Sequence, residues 1–387
     1  MKTIKELDAQ YIANTYARYD LLLKSGKGCT LFDDTGKKYI DLGAGIAVNT
    51  FGAVDDAWRD AVIAQLVRLQ HTSNLYYTQP QVELAQMLCE RTGFSRVFFS
   101  NSGAEANECA IKAARKYAND RHHGARDKII TLQGSFHGRT VTTLSATGQA
   151  VFHTDFGPFT PGFCHVEPDD LDAALHEMDD ACCAVMIELV QGEGGVRQLD
   201  YDYVQALAKA AKERDILLIV DEVQTGNGRC GSLYCYMQYD IMPDIISTAK
   251  GLAGGLPMGA TLLGEKVKDV LSAGTHGSTF GGNPLCAAGA LSILSRIDDA
   301  LLNSVRQKGD YIRAQLTGAC GVKSVSGLGL MVGIETEKDV KAVVLAAMQK
   351  GVLALTAKNK VRLLPALTIT QEELAFAIDI LKEVIAS

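Results

Sequence analysis

Residues 216–250 read ILLIVDEVQTGNGRCGSLYCYMQYDIMPDIISTAK, and this stretch decides the fold. It opens with five apolar residues, 216–220, whose length and β-branched content are typical of a strand buried on both faces of a parallel sheet. The strand ends at two acids, Asp221 and Glu222, and a second apolar strand leads to Lys250. Because ligands of open α/β sheets bind beyond the carboxyl ends of the strands, the stretch offers a carboxylate and an amine at one ligand-binding edge.

A lysine amine and a carboxylate at such an edge suit one cofactor, pyridoxal phosphate. This cofactor is held through a lysine Schiff base and tuned by a carboxylate at its pyridine nitrogen. An anionic Asp221 would keep that nitrogen protonated, and burial of Lys250 would favour loss of the amine proton. The same two residues are equally typical of an acidic helix cap and a solvated loop lysine. These positions alone leave both interpretations open, and other motifs decide between them.

The composition indicates an ordinary globular chain. Its 387 residues are enough for two or three domains, and 47% of them are hydrophobic, so a large core can form. The net charge of −7 comes without a basic stripe, and no stretch approaches the roughly 20 apolar residues of a membrane helix. The ten cysteines show no metal-binding spacing, and the N-terminal region lacks a signal-peptide pattern. We therefore expect a cytoplasmic protein with no metal, no nucleic-acid partner and no membrane partner.

The order of the elements predicts an α/β fold. From about residue 94, apolar stretches typical of strands alternate with helical patterns, which favours a mostly parallel sheet with helices on both faces. The predicted strands are 96–100, 128–133, 183–190, 216–222 and 244–247.

The two ends of the chain are predicted to form a smaller domain together. After Pro284 the pattern changes to two helices followed by an α+β segment. We predict that residues 1–50 form the N-terminal segment of the small domain, that residues 51–283 form the large cofactor-binding domain, and that residues 284–387 form the C-terminal part of the small domain.

Two loops of small residues suit a phosphate. Ser102, Gly103 and Ala104 follow a strand and open a helix, where backbone amides attract anions. Ser102 with Glu105 is equally typical of a plain capping box, so the phosphate interpretation is one of two. Residues 278–284, STFGGNP, form a second such loop before a helix, with hydroxyls and glycine amides that suit a phosphate.

Other loop residues are candidates for holding a ring or a carboxylate. Phe136 could stack on an aromatic cofactor, and Arg139 could clamp a carboxylate with its planar fork. His137 is a weaker candidate for a general base, because Lys250 is available. Arg362 is an isolated cation among apolar residues and needs an anion.

The loop QGEGG places Glu193 between glycines, where it is free to approach a ligand, although such a run is also typical of a flexible surface loop. Gln224, three residues after Asp221, can reach the same ligand from the same loop.

Seven motifs carry a resemblance to a known family. They are, in chain order, SNSGAEANECAIKAAR, FHGRT, ELVQGEGG, VDEVQTGNGR, STAKGLAGGLPMGA, STFGGNPL and VRLLPAL. Together they span nearly the whole chain and resemble the class-III aminotransferases of pyridoxal-phosphate fold type I. The resemblance implies a mostly parallel central sheet flanked by helices, a smaller α+β domain built from both chain ends, pyridoxal 5'-phosphate as cofactor, and a homodimer whose active sites are shared across the interface.

The resemblance also implies roles for particular residues around the cofactor. Lys250 would be the Schiff-base lysine and proton shuttle, Asp221 would pair with the pyridine nitrogen, and Thr279 would reach the phosphate bound in the neighbouring subunit. The other cofactor-binding residues would be Ser102, Gly103, Ala104, Phe136, Glu222, Val223 and Gln224.

Four residues would meet the substrates in this resemblance. Arg139 would hold the carboxylate of acetylornithine, and Ser278 would lie near this substrate from across the interface. Arg362 would hold the α-carboxylate of glutamate or 2-oxoglutarate. Glu193, counted with the catalytic residues, would pair with Arg362 when the other substrate is bound.

The compact length and the AGIAVNTFG and FHGRT motifs are most similar to family members that act on N2-acetylornithine. The implied reaction is amino transfer between an amino acid and a 2-oxo acid, here acetylornithine and 2-oxoglutarate, in arginine biosynthesis. Ornithine, succinylornithine and succinyldiaminopimelate stay open as alternative substrates. An aminomutase of the same fold and a non-catalytic cofactor-binding protein are the alternatives from other classes.

Overall fold

The computed structural model describes residues 2–387. Its strands, in chain order, are β1 (Leu23–Lys27), β2 (Thr30–Asp33), β3 (Lys38–Asp41), β4 (Arg96–Ser100), β5 (Lys128–Leu132), β6 (Phe163–Val166), β7 (Cys182–Ile187), β8 (Val190–Gln191), β9 (Arg197–Gln198), β10 (Leu217–Asp221), β11 (Ile245–Thr248), β12 (Gly259–Leu263), β13 (Val322–Leu328), β14 (Met331–Thr336), β15 (Val352–Leu353), β16 (Leu355–Ala357) and β17 (Lys360–Leu363).

The helices, in chain order, are α1 (Ile4–Tyr11), α2 (Ala44–Ala47), α3 (Asp56–Leu66), α4 (Gln79–Thr92), α5 (Gly103–His122), α6 (Val141–Ala146), α7 (Leu171–Glu177), α8 (Tyr201–Glu213), α9 (Pro284–Leu294), α10 (Asp299–Leu316), α11 (Val340–Gln349) and α12 (Gln371–Ala386). Short 3-10 turns lie at Ala150–Phe152, Cys235–Gln238 and Lys250–Ala253. Within residues 2–387, no helix has the length and apolar character needed to cross a membrane.

A seven-stranded sheet, in the order β4-β12-β11-β10-β7-β5-β6, forms the centre of the fold. The strands from β11 to β6 pair in parallel, whereas β12 runs antiparallel to both of its neighbours. Every residue of β10 is buried, as its continuous apolar sequence predicts. The prediction of a mostly parallel α/β sheet is therefore confirmed.

Two strands of this sheet were not predicted from the sequence. β6 and β12 are short, and β12 has the sequence GATLL, which carries little of the β-branched pattern that identifies a strand. The predicted strand 183–190 also differs, because β7 ends at Ile187 and β8 pairs separately with β9. The break at residues 188–189 turns the chain toward the loop that carries Glu193.

The chain ends meet in a second sheet, in the order β1-β2-β3-β15. β15 joins β3 in parallel, with Val352 opposite Ile40, so a strand near the C-terminus completes an N-terminal sheet. A third sheet, β13-β14-β17-β16, lies beside it and carries Arg362. The division into residues 1–50, 51–283 and 284–387 stays a prediction.

Helix caps agree with the local sequence signals. Thr370 and Glu373 form a capping box at the start of α12, with each side chain bonded to the other residue's backbone. Ser102 caps α5 by accepting a hydrogen bond from the backbone of Glu105 at 3.2 Å. The N-terminal helix α1 is short, since it ends at Tyr11, and none of its residues is buried.

Candidate active site

A cavity of about 380 Å³ opens at the carboxyl edge of the central sheet. β10 ends at Asp221 and β11 leads through Ala249 to Lys250, so the two strands deliver both predicted groups to this cavity. The lining residues are Val48, Asn101, Ser102, Gly103, Ala104, Asn107, Phe136, His137, Gly138, Arg139, Glu188, Asp221, Val223, Gln224, Ala249, Lys250, Gly255, Leu256, Pro257 and Met258.

Asp221 is held by a buried network of hydrogen bonds. Its Oδ2 accepts from Asn107 Nδ2 at 2.7 Å and lies 2.8 Å from His137 Nδ1, and its Oδ1 accepts from the backbone N–H of Val223 at 3.0 Å. The carboxyl side chain is 3% exposed. Three hydrogen-bond donors therefore fix the position of this carboxyl group at the base of the cavity.

His137 supports Asp221 from behind. Burial disfavours the charged imidazole, but the hydrogen bond and the charge of Asp221 outweigh burial, so the pKa of His137 is raised. Its backbone N–H donates to Thr147 Oγ1 at 3.0 Å and its carbonyl accepts from Asn107 Nδ2 at 2.7 Å. The ring is thus fixed in place as a partner of Asp221, which fits its weak sequence candidacy for a general base.

Lys250 lies in the cavity with an amine suited to nucleophilic chemistry. It opens a 3-10 turn with a backbone φ of 45°, in the left-handed region that non-glycine residues rarely adopt. Burial lowers the pKa of the amine, although the charges of Glu193 and Asp221 act in the opposite direction. A lower pKa increases the fraction of the unprotonated, reactive amine near neutral pH.

The start of α5 forms a tight, anion-attracting wall of the cavity. Ser102, Gly103 and Ala104 line it, and a Cβ on Gly103 would come within 2.6 Å of a methyl group of Val223. Glycine is therefore required for the close packing of α5 against the loop after β10. The N-terminus of a helix favours a phosphate or carboxylate at this wall.

An aromatic group and an arginine form the mouth of the cavity. The backbone N–H of Phe136 donates to Glu188 Oε2 at 2.9 Å. The guanidinium carbon of Arg139 lies 5.4 Å from the ring centre of Phe136 and 4.2 Å from that of Phe152. These cation–π contacts hold the exposed Arg139 where it can meet an entering carboxylate.

Arg362 and Glu193 form an ion pair at the side of the cavity. Arg362 Nη1 lies 2.5 Å from Glu193 Oε1 and also donates to Gln224 Oε1 at 3.1 Å. Burial would raise the pKa of Glu193, but the charge and hydrogen bond of Arg362 outweigh it and hold that pKa below its usual value. Arg362 Nε is buried without a hydrogen-bond partner in the described part of the chain. The predicted pairing of these two residues is present in the structure.

Ser278 and Thr279 lie beside the cavity rather than in its lining. Ser278 Oγ accepts from Asn101 Nδ2 at 3.1 Å, and Asn101 does line the cavity. Thr279 is exposed, and across residues 2–387 its side chain makes no hydrogen bond. Contact with a neighbouring subunit stays a prediction for both residues.

Glu222 is predicted to bind the cofactor, and its position does not support that role. Its carboxylate accepts from the backbone N–H of Tyr236 at 2.7 Å and from Thr225, and the residue does not line the cavity. Burial raises its pKa to about 7. Adjacent residues in an extended segment point to opposite faces, so Asp221 and Glu222 cannot both face the same cavity.

The sequence analysis missed several of the lining residues, and two of these, Asn107 and Glu188, interact with Asp221. Asn107 lies four residues beyond Gly103 on α5, one helical turn further along the same face, which is the signal that could have found it. Glu188 ends the apolar run of β7 and is 5% exposed. Burial raises its pKa, and the charge of Asp221 acts in the same direction.

Within residues 2–387, no group of three or more His, Cys, Asp and Glu residues is arranged to hold a metal ion.

The arrangement of these groups points to a class of enzyme. A lysine amine, a carboxyl group and a helix start that line one cavity at a sheet edge are features of enzymes that work on amino groups. Residues 11–385 match the family model described as aminotransferase class-III, and the chain belongs to this family.

Individual relatives cover almost all of the chain. An acetylornithine aminotransferase of Haemophilus ducreyi is 50% identical over 386 residues, covering 99% of this chain and 98% of the relative. A succinylornithine transaminase of Citrobacter koseri is 43% identical and covers 96% of this chain and 94% of the relative. An ornithine aminotransferase structure from Toxoplasma gondii, with partial occupancy of pyridoxal phosphate at its active site, superimposes with a TM-score of 0.95 at 32% identity, covering 100% of this chain and 95% of that one.

Proposed function

We propose that this chain transfers the terminal amino group of N2-acetyl-L-ornithine to 2-oxoglutarate, giving N-acetyl-L-glutamate 5-semialdehyde and L-glutamate, as a cytoplasmic enzyme of arginine biosynthesis. The observation that carries the proposal is the Arg362–Glu193 pair beside the Lys250 cavity. A transaminase must bind two substrates in turn at one site. An arginine that a neighbouring carboxylate can neutralise suits both of them.

The cavity fits pyridoxal phosphate as the cofactor. Lys250 would attach it covalently, the amides of Gly103 and Ala104 would meet its phosphate, and Phe136 would cover one face of its ring. The close approach of Gly103 to Val223, which a Cβ would prevent, places the start of α5 in the wall of the cavity. When bound, the cofactor supplies an electron sink for the carbon that carries the amino group.

The chain's own residues would then position the reactants and move protons. Asp221, fixed by Asn107 and His137, would keep a proton on the ring nitrogen of the cofactor. The Lys250 amine, once free, would carry protons to and from the substrate carbon, since burial lowers its pKa. Arg139 would hold the carboxylate of acetylornithine at the mouth of the cavity.

Kinetics with purified enzyme test the choice of substrate. We expect the highest kcat/KM with acetylornithine among acetylornithine, succinylornithine, ornithine and 4-aminobutyrate, with 2-oxoglutarate as acceptor. Succinylornithine is the second candidate, because a succinylornithine transaminase is 43% identical over 380 residues. A higher kcat/KM for any donor other than acetylornithine would overturn the proposed substrate.

The switch between substrates gives a separate prediction. Arg362→Lys should lower kcat/KM of the glutamate half-reaction roughly 30- to 1000-fold, because lysine cannot form a bidentate clamp. This factor corresponds to a loss of about 2–4 kcal/mol in transition-state binding. Glu193→Gln should leave Arg362 without its counter-charge and shift the ratio of half-reaction rates toward glutamate. Stopped-flow absorbance of each half-reaction measures both effects. Glu213→Gln, at an exposed acid, is the control, and an unchanged ratio in Glu193→Gln would rule out the switch.

We also propose that the enzyme is a homodimer with shared sites. Large apolar side chains close to the Ser278–Thr279 loop are strongly exposed in the single chain. A surface that is covered by a second subunit in a dimer would be exposed in this way. The loop is tied to this surface because Asn74 Nδ2 donates to the carbonyls of Ser278 and Gly281 at 3.1 and 2.8 Å. The exposed apolar residues include Val67, Leu75, Tyr76, Tyr77 and Phe280.

Subunit mixing tests the shared site. Lys250→Ala lacks the amine, and Thr279→Asp would set a carboxylate against the phosphate in the neighbouring subunit, so each variant alone should be nearly inactive. A heterodimer of the two keeps one intact site, and equal mixing should restore up to about a quarter of wild-type activity. Lys250→Ala mixed with itself is the control. If verified exchange of subunits restores nothing, each site is complete within one chain.

A further inference from the structure

A second cavity, of about 650 Å³, lies behind the loop that carries Glu193. Its wall includes Gly194 and Gly195, and three cations converge on it, namely Arg197, Arg313 and Lys360. None of its lining residues is an acid. A concave surface with three cations and no carboxylate among its lining residues favours an anion.

Lys360 is the cation whose charge is least compensated. Arg197 is paired with Asp169 at 3.0 Å and Arg313 with Asp310 at 2.7 Å, at the rim of the cavity. In residues 2–387 Lys360 has no ion-pair partner, and its ammonium donates only to Ser326 Oγ at 2.8 Å. Burial lowers the pKa of Lys360, against the charge of Glu335. A bound anion would stabilise the charged form of this ammonium.

The hydrogen bond between Lys360 and Ser326 connects this second cavity to the active site. Ser326 Oγ, which accepts from Lys360, donates in turn to the carbonyl of Val196 at 2.8 Å. Val196 is buried with a backbone φ of 52°, and it follows Glu193 by three residues across two glycines. Lys360 and Arg362 also project from the same face of β17, because side chains alternate along a strand. The Lys360–Ser326 and Ser326–Val196 hydrogen bonds therefore form a continuous link between this cavity and the Glu193 loop.

We propose that this cavity binds a small phosphate-type anion and that its occupation weakens the hold of Glu193 on Arg362. A tetrahedral dianion carries two charges and offers acceptor oxygens in several directions, which suits a surface lined by three cations. The bound anion would draw Lys360 away from Ser326, and the Ser326 hydroxyl, no longer polarised by the ammonium, would donate more weakly to Val196. Arg362 would then be more available to a substrate carboxylate, and the balance of half-reactions would move toward glutamate.

Direct binding of inorganic phosphate tests the site without any turnover. The holoenzyme, saturated with cofactor so that its own phosphate position is filled, is titrated by calorimetry at constant ionic strength against a sodium chloride control. We expect the wild type to bind one phosphate per subunit. Lys360→Met should raise the dissociation constant for phosphate by roughly tenfold or more, since a charge-assisted contact is lost. Lys341→Met, at an exposed lysine of α11, should bind as the wild type does. No binding beyond the chloride control, or equal binding by Lys360→Met, would overturn the site.

The coupling between this cavity and the active site is tested by the ratio of the two half-reaction rates. This test rests on the proposed transamination, whereas the binding titration is independent of it. Phosphate should raise the ratio of the glutamate rate to the acetylornithine rate by about fivefold, the low end of ordinary coupling between sites. Ser326→Ala should still bind phosphate but lose this response, because the link from Lys360 to Val196 is cut. An equal response in Ser326→Ala would overturn the coupling, and no response in the wild type would do the same.

Discussion

Replacing Lys250 with alanine should abolish covalent retention of pyridoxal phosphate and lower turnover by roughly four to six orders of magnitude. The reason is that one buried amine both attaches the cofactor and carries the proton, and the described cavity lining contains no second lysine. Arg139 cannot take its place, because a guanidinium does not lose its proton in proteins. The absorbance of the purified variant and its single-turnover rate with acetylornithine measure the two losses.

Borohydride reduction provides the direct control for this result. In the wild type it should fix the cofactor to Lys250, located by peptide mass spectrometry. Lys116→Ala is a matched variant, because Lys116 is a surface residue paired with Asp120 at 2.7 Å. It should retain colour and activity. An adduct on another lysine in the wild type, or a coloured and active Lys250→Ala, would contradict the assignment.

Asp221→Asn should raise the activation free energy of the chemical step by about 3–4 kcal/mol, which slows this step roughly 10²- to 10³-fold. The amide carries no charge to keep the ring nitrogen protonated, so the electron sink weakens. It also presents one oxygen where the carboxylate presents two, and Asn107, His137 and Val223 all donate to Asp221. One donor is therefore left facing an NH₂ group.

Single-turnover absorbance with acetylornithine measures this loss, separately from binding. The control is Asp179→Asn, since Asp179 pairs with Lys128 at 2.8 Å outside the cavity. Wild-type rates in Asp221→Asn would remove the proposed role. A loss of cofactor binding with an unchanged rate in the loaded enzyme would make Asp221 a binding residue only.

Much of the fold follows from local sequence. A strand such as β10 that is buried on both faces needs a continuous apolar run, and such runs are visible without any structure. The pairing of β15 with β3 is different, because it joins residues more than 300 positions apart and no local pattern encodes it. β12 was missed for a related reason, as its place between β4 and β11 provides the stability that its small residues lack.

Some residues of the candidate site can likewise be predicted from local sequence, whereas others depend on tertiary contacts. Asp221 and Lys250 stand at the ends of recognisable strands, so the sheet itself predicts that they meet. Asn107 acquires its place only because α5 packs with that face toward β10, which depends on tertiary contacts. Glu222 shows the opposite case, since a charged residue next to Asp221 looks functional until the alternation of side chains turns it into the core.

The cofactor-dependent transfer of one amino group between two substrates is tested most directly by following the nitrogen. N2-acetylornithine labelled with ¹⁵N at its terminal amine is incubated with the holoenzyme and 2-oxoglutarate, and glutamate and ammonia are analysed by mass spectrometry. We predict one ¹⁵N in glutamate for each semialdehyde formed and no label in ammonia. Label released as ammonia, or retained in a rearranged isomer of the substrate without any need for 2-oxoglutarate, would contradict transamination and favour a deaminase or an aminomutase.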